Sequence, residues 1–394
     1  MNIIEKCKKF YEYVEGVKAE DQYFYLRSIQ SASGPRVIVN GKEMIMLASN
    51  NYLGLANDPR LKEAAIKAIE KYGAGSGGTR ILSGTQELHE ELEEKLAEFK
   101  GTESAVIFSS GFMANFSSIS ALMGKDDVII NDDKNHASII DGCRISGAKT
   151  RFYRHNNLDK LEGILKSSED TPGKLVIVDG VFSMDGDIAN LPKIYELAKK
   201  YNALLMVDDA HATGVIGKDG RGTAEHFNML GKVDIETGTL SKSLGGVGGF
   251  VGASKEIITY LKHNARSFIF TTSIPASAVA AVLAALEIIK KEPQLRARLW
   301  ENVRIMKEGL LELGYTLSKT ETPIIPVILN DDSTTFKMAG LLNEAGIFAN
   351  PVIYPAVSKK EPRIRISLMA SHTSRDLEMT LSAFKNAGQK LNVI

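Results

Sequence analysis

Two rhythms of apolar and polar positions run along the 394-residue chain. The first stretch, at about 3–20, has charges breaking every apolar run at helical spacing and predicts a charged N-terminal helix. "PRVIVNGKEMIML" follows, two short apolar runs around Asn40-Gly41, the signature of a hairpin. From there, short and nearly continuous apolar runs take over: "AVIFSS", "DVIIND", "KLVIVDGVFS", "ALLMVDDAH", "VDIETGTLSK" and "GGFVGAS". Amphipathic helical segments such as "ELHEELEEKLAEFK" and "LPKIYELAKKY" lie beside or between most of them. Continuous rather than alternating apolar runs belong to strands buried on both faces, so the pattern predicts an α/β fold with a mostly parallel central sheet.

The most apolar segment, "IPASAVAAVLAALEII" at 274–289, carries Pro275 and is shorter than a span of ~20 residues. It reads as a buried core helix, with no membrane span. Beyond it "PIIPVILN", "IFANPVIYP" and "RIRISLM" alternate with two helical stretches. The expected organisation is an N-terminal helix and hairpin (1–50), a large domain (51–289) and a smaller C-terminal α/β domain (290–394), with a ligand in the cleft between them.

Composition narrows the classes. Forty-eight basic residues balance forty-eight acidic ones, without the electrostatic footprint of a nucleic-acid binder. Two cysteines cannot build a disulfide framework, which fits a reducing, cytoplasmic setting. No metal motif is present, so no metal is expected.

The strand ends carry the chemistry. "AVIFSS" runs into Ser110-Gly111-Phe112, a turn able to open a helix onto an anion. "VIINDD" precedes His136, "VIVDGVFS" ends at Ser183, and "LLMVDDAH" ends with Asp208 and His211. The glycine-rich "TGTLSKSLGGVGGF" brings Thr239 and Lys242. Its Lys-Ser pair suggests a nucleotide loop, but a P-loop requires glycines where this chain has Ser241 and Glu236. Taken singly, Asp208 reads as a helix cap, His136 and His211 as interior histidines, and Lys242 as a surface lysine. Together at one sheet edge, an aspartate, two histidines and a lysine are the parts of Schiff-base chemistry.

Eight segments in order resemble the α-oxoamine synthase family of pyridoxal-phosphate enzymes, of fold type I: "NNYLGLANDPRL", "YGAGSGGTRILSGT", "SSGFMAN", "NHASIIDG", "DGVFSMDGDIANLP", "VDDAHATGVIGKDGRG", "GTLSKSLGGVGGF" and "RIRISLMASHT". The resemblance implies pyridoxal 5′-phosphate held covalently by Lys242, which then moves the substrate Cα proton. It implies Asp208 at the pyridine nitrogen, His211 and Ser183 near the ring O3′, and His136 stacked on the ring. Ser110, Gly111, Phe112 and Thr239 would hold the phosphate. Thr271 and Thr272 would reach the phosphate of the other subunit of a homodimer with shared sites. Arg365 would grip the amino-acid carboxylate, with Asn50 nearby. The implied reaction joins an amino acid (glycine, alanine or serine) to an acyl-CoA with release of CoA. "GTQELHEELEEKLAEFKGTE", "NHASIIDGCRIS" and "GQKLNVI" look most like 2-amino-3-ketobutyrate CoA ligase (glycine C-acetyltransferase), so glycine with acetyl-CoA is the expected pair. "GTLSKSLGG" and "HNARSFIF" resemble the serine palmitoyltransferase branch, and "GAGSGGTR" is similar to 8-amino-7-oxononanoate or 5-aminolevulinate synthases. An aminotransferase or aldolase would share the lysine and aspartate, and a non-catalytic partner subunit would typically lose the lysine.

Overall fold

The computed structural model describes residues 2–20 and 22–394; Met1 and Asp21, within the expected N-terminal segment, lie outside them. The charged helix spans Ile3–Ala19, capped by Asn2, whose side chain accepts from the Glu5 N–H. The expected hairpin forms: β1 (Arg36–Val39) pairs antiparallel with β2 (Lys42–Met46). Asn40 and Gly41 turn between them with φ of 51° and 74°, the left-handed pair that such a turn requires.

Seven strands build the central sheet. In chain order they are β3 (Ser104–Phe108), β4 (Val128–Asp132), β5 (Lys149–Tyr153), β6 (Lys174–Asp179), β7 (Leu204–Asp208), β8 (Ile235–Thr239) and β9 (Gly249–Ala253). They lie side by side as β3-β9-β8-β7-β6-β4-β5. All are parallel except β9, which runs antiparallel to both neighbours. The sequence pattern does not announce β5. Its residues "KTRFY" form an edge strand with only Tyr153 fully buried, so they lack the apolar run that marks the others. Within β6, Leu175 and Ile177 enter the cluster on one face of the sheet, while Val176 and Val178 enter the cluster on the other. Burial of both faces is why these strands read as unbroken apolar runs.

The apolar segment forms a helix at Ala276–Lys291 and contributes Val279, Val282 and Leu286 to a further core cluster. That cluster extends to Ile325, Ile364 and Phe384 of the C-terminal part. There β10 (Ile324–Ile328), β11 (Ile347–Phe348), β12 (Asn350–Val352) and β13 (Arg363–Ser367) appear. β13 lies between β10 and β12, while β11 joins β2 in parallel and so attaches the N-terminal hairpin to the C-terminal part. No helix among the described residues is long and apolar enough to cross a membrane.

Candidate active site

Parallel strands place their C-terminal ends on one edge, where open α/β sheets bind ligands. Asp179 of β6, Asp208 of β7 and Thr237 of β8 stand in register across that edge. Above them a cavity of about 230 Å³ is lined by Ser110, His136, Ser183, Asp208, His211 and Lys242, with Gly111, Phe112 and Thr239 also in its wall. Five loops far apart in the chain therefore converge.

One end of the cavity is the start of the Gly111–Leu122 helix. Ser110 caps it, its Oγ accepting from the Met113 N–H at 3.1 Å. The Gly111 and Phe112 N–H groups occupy the first helical positions, where no intrahelical carbonyl exists, and they face an anion with the positive end of the helix. This helix start is pressed against the β8–β9 turn: a Cβ at Gly249 would stand 2.5 Å from the Gly111 Cα. Gly248, at φ +127°, lets the chain re-enter the sheet there.

At the other end Asp208 is buried. Its Oδ1 accepts from the Ala210 N–H at 2.8 Å, and its Oδ2 accepts from the Asn115 amide at 2.6 Å. His211 bonds Tyr52 through Nδ1 at 2.7 Å. Burial, then the charges of Lys242 and Arg365, hold His211 well below the usual histidine range, so it is neutral. Burial pushes the Tyr52 hydroxyl up to about 12, so Tyr52 keeps its proton, with His211 Nδ1 at 2.7 Å and Asn50 Oδ1 at 3.3 Å as its neighbours.

Lys242 has no hydrogen-bond or ion-pair partner for its Nζ among the described residues. Burial lowers its pKa to about 8; Asp208 opposes this and Arg365 adds to it. A lysine in this state is an amine nucleophile near neutrality. Arg365 of β13 reaches the same site: Nε donates to the Ser183 carbonyl at 2.6 Å, Nη1 to Ser367 Oγ at 2.9 Å, and Nη2 to Asn50 Oδ1 at 3.1 Å. These partners are all neutral, so the guanidinium keeps its charge for an incoming carboxylate. Thr271 and Thr272 do not join this cavity. They line a separate crevice beside Phe108 and Ser109, and Thr272 is exposed.

Tyr52, Asn115 and Asp179 are site residues that the sequence pattern does not single out. Each lies inside a conspicuous motif, and periodicity offers a signal only for Asp179, which ends an apolar run as Asp208 does.

The sequence profile described as "Aminotransferase class I and II" matches residues 42–384, and the chain belongs to that family. The relatives narrow it. The chain is 50% identical over 384 residues to 8-amino-7-oxononanoate synthase of Thermoanaerobacter pseudethanolicus, covering 97% of both chains. It is 48% identical to the protein of that name from Symbiobacterium thermophilum, covering 97% of this chain and 98% of the relative. A serine palmitoyltransferase from S. paucimobilis, solved with a PLP–myriocin aldimine, superposes over 100% of both chains with a TM-score of 0.96 at 34% identity. The chain is thus a PLP-dependent acyltransferase of the α-oxoamine synthase type.

The cavity fits that cofactor: a helix start for the phosphate, a buried carboxylate at the far end, and an unpartnered lysine between. The expected preference for glycine and acetyl-CoA finds no support here, since both sequence relatives carry the name of an alternative.

Proposed function

We propose that this enzyme makes 8-amino-7-oxononanoate by decarboxylating condensation of alanine with a pimeloyl thioester. Half of all positions are shared with a protein of that name over 97% of both chains, and this likeness carries the reading. The product dictates the substrates. Its amine-bearing carbon and terminal methyl are what alanine leaves after losing its carboxylate, and the ketone with the rest of the chain is a seven-carbon dicarboxylic acyl group. The alanine Cα loses its proton and bonds to the acyl carbon as the thioester carbon–sulfur bond breaks, and CoA takes up a proton and leaves as the thiol. The Cα–carboxylate bond breaks to release CO2, and a proton takes its place on Cα.

Bound PLP supplies an aldehyde carbon to an amine and a pyridinium ring that withdraws electron density from the amino-acid Cα–H bond. The residues divide the remaining work. Lys242 would hold the cofactor through its free amine and, released by the substrate, would take the Cα proton. Asp208 would keep the ring nitrogen protonated, and His211 and Ser183 would hold the ring oxygen. Ser110, Gly111, Phe112 and Thr239 hold the phosphate. Arg365 and Asn50 bind the alanine carboxylate, and His136 covers the ring beside the thioester. Thr271 and Thr272, outside this cavity, serve the phosphate of a second copy in a homodimer.

CoA release measured over glycine, alanine and serine against acetyl-, pimeloyl-, succinyl- and palmitoyl-CoA tests the proposal. Alanine with pimeloyl-CoA is expected to exceed every other pair by about tenfold or more, the discrimination one methyl group allows in a fitted pocket. A higher kcat/KM for glycine with acetyl-CoA would return the enzyme to the C-acetyltransferases.

A further inference from the structure

Asn115 is buried and sits one turn into the helix whose start faces the phosphate end of the cavity. Its amide contacts three polar groups. Nδ2 lies 2.6 Å from Asp208 Oδ2 and 3.0 Å from Ser138 Oγ, while Oδ1 lies 2.7 Å from Thr237 Oγ1. A carboxylate accepts only, so the NH2 end must face Asp208, and its second proton is directed at Ser138. Ser138 Oγ, already an acceptor, has its own proton left to donate. Its neighbour is His136 Nδ1 at 2.7 Å. The Ser138 backbone N–H approaches the same ring nitrogen at 3.3 Å. Two donors thus converge on Nδ1, and a proton there would point at them both. The His136 proton belongs on Nε2. That nitrogen has no protein partner among the described residues, and the ring stands in the wall shared by the Lys242 cavity and an outer cleft of about 690 Å³ running towards residues 354–361.

We propose that Asn115 and Ser138 are positioning residues which fix His136 as the Nε2–H tautomer, from the same amide that fixes the Asp208 carboxylate. The hydrogen bonds run one way: Thr237 O–H to Asn115 Oδ1, Asn115 N–H to both Asp208 and Ser138, Ser138 O–H to His136. His136 then offers an N–H, rather than a lone pair, to a substrate oxygen in the wall between the two cavities. The other tautomer would set a lone pair against that oxygen. Asn115 also couples the two groups, because an amide turned away from Ser138 is turned away from Asp208. The role rests on the placement of His136 beside the cofactor proposed above, but the tautomer does not.

Histidine 15N NMR of the cofactor-free and the PLP-loaded protein reads the tautomer directly. The chain has seven histidines, and the His136 signal is the one lost in His136→Gln. The wild-type signal is expected to show the proton on Nε2 in both forms. Ser138→Ala, which leaves only the longer backbone donor, is expected to weaken that preference and raise the share of the Nδ1–H tautomer measurably above wild type. It should also lower kcat by about tenfold, the effect of one misdirected hydrogen bond, with little change in PLP affinity. Asn115→Ala is expected to disturb the tautomer and, through Asp208, the visible absorbance of the bound cofactor as well. A wild-type proton on Nδ1 overturns the proposal. So does a Ser138→Ala protein with the wild-type tautomer and pH–rate profile, and that result counts even if Asn115→Ala does not fold. The tautomer and the cofactor absorbance are read without substrate, so failure there is distinct from failure of the alanine–pimeloyl assignment.

Discussion

Two buried lysines at neighbouring depths of the same sheet meet opposite fates. Lys100 is fully enclosed beneath β7 and β8, with Nζ 2.7 Å from Asp209 and 2.8 Å from Glu236. Burial alone would depress its pKa, but the two carboxylates more than reverse this and leave it raised. Lys242, above the strand ends, has no such partner, and burial brings it down to about 8. Burial is common to both; the count of adjacent carboxylates decides whether the result is a permanent charge or a nucleophile. The arginines of β13 repeat the contrast. Arg363 is paired with Asp185 at 2.9 Å and Glu361 at 3.1 Å, whereas Arg365, two residues on, has only neutral partners. Lys100 and Arg363 spend their charge on carboxylates within the protein, while Lys242 and Arg365 leave theirs uncompensated at the cavity.

Removing each member in turn breaks the comparison at different strengths. Lys242→Ala should abolish the borohydride-reducible link to PLP and lower turnover by several orders of magnitude, while the protein stays folded. Its pKa lies below the unfolded value of a free lysine. The unfolded chain therefore binds more protons between about pH 8 and 10.5, and the cofactor-free variant should be no less stable than wild type at pH 7. A reducible adduct surviving in the variant would falsify the assignment. In the wild type, PLP uptake should quicken by about tenfold per pH unit up to about 8 and then level off, as the neutral amine becomes the main form.

Lys100→Met is the converse case. It leaves Asp209 and Glu236 buried without a counter-charge and should cost about 3–5 kcal/mol in urea unfolding. A loss below about 1 kcal/mol would mean that the cluster is not an anchor. Next comes Arg365→Gln, expected to raise the amino-acid KM by about tenfold to a hundredfold through loss of charge-assisted bonds, with the acyl-CoA KM nearly unchanged. Arg363→Gln should instead lower stability and leave the amino-acid KM close to wild type. The smallest effect concerns His155, held between Asp132 at 3.1 Å and Asp187 at 2.8 Å. Burial lowers its pKa, but the two carboxylates raise it to about 9. Its contribution is complete below about pH 6.5 and is lost as pH rises through 9. His155→Gln should flatten that dependence by about 1–2 kcal/mol, measured by urea unfolding at pH 6.5 and 9.5.

The sheet is readable in the sequence because its strands are buried on both faces, and that makes a run of apolar residues unmistakable. β5 is not, since an edge strand such as "KTRFY" need not be apolar to be paired. Lys242, Asp208, His211 and His136 are legible because strand ends in a parallel sheet share one edge, and order along the chain becomes proximity. Tyr52 and Asn115 make contacts across the fold, such as the 159 residues separating Tyr52 from His211 and the 93 separating Asn115 from Asp208, and no local spacing encodes those. The substrate pair stays hidden for a related reason. The quoted segments cluster at the strand ends and helix start of the Lys242 cavity, and none of them labels a wall that would select an acyl chain.

The turn between β8 and β9 also fixes how the chain tolerates changes of length. Lys242 hangs from a connection whose two strands sit inside the sheet, paired with β7 on one side and β3 on the other. With both strands pinned by their outer partners, one residue added or removed between 240 and 248 would have to be absorbed within the connection and would displace Lys242. It would also drive Gly249 out of its close approach to Gly111. The exposed hairpin turn at Asn40-Gly41 lies far along the chain from these groups, whereas a change in this connection acts directly on the placement of Lys242.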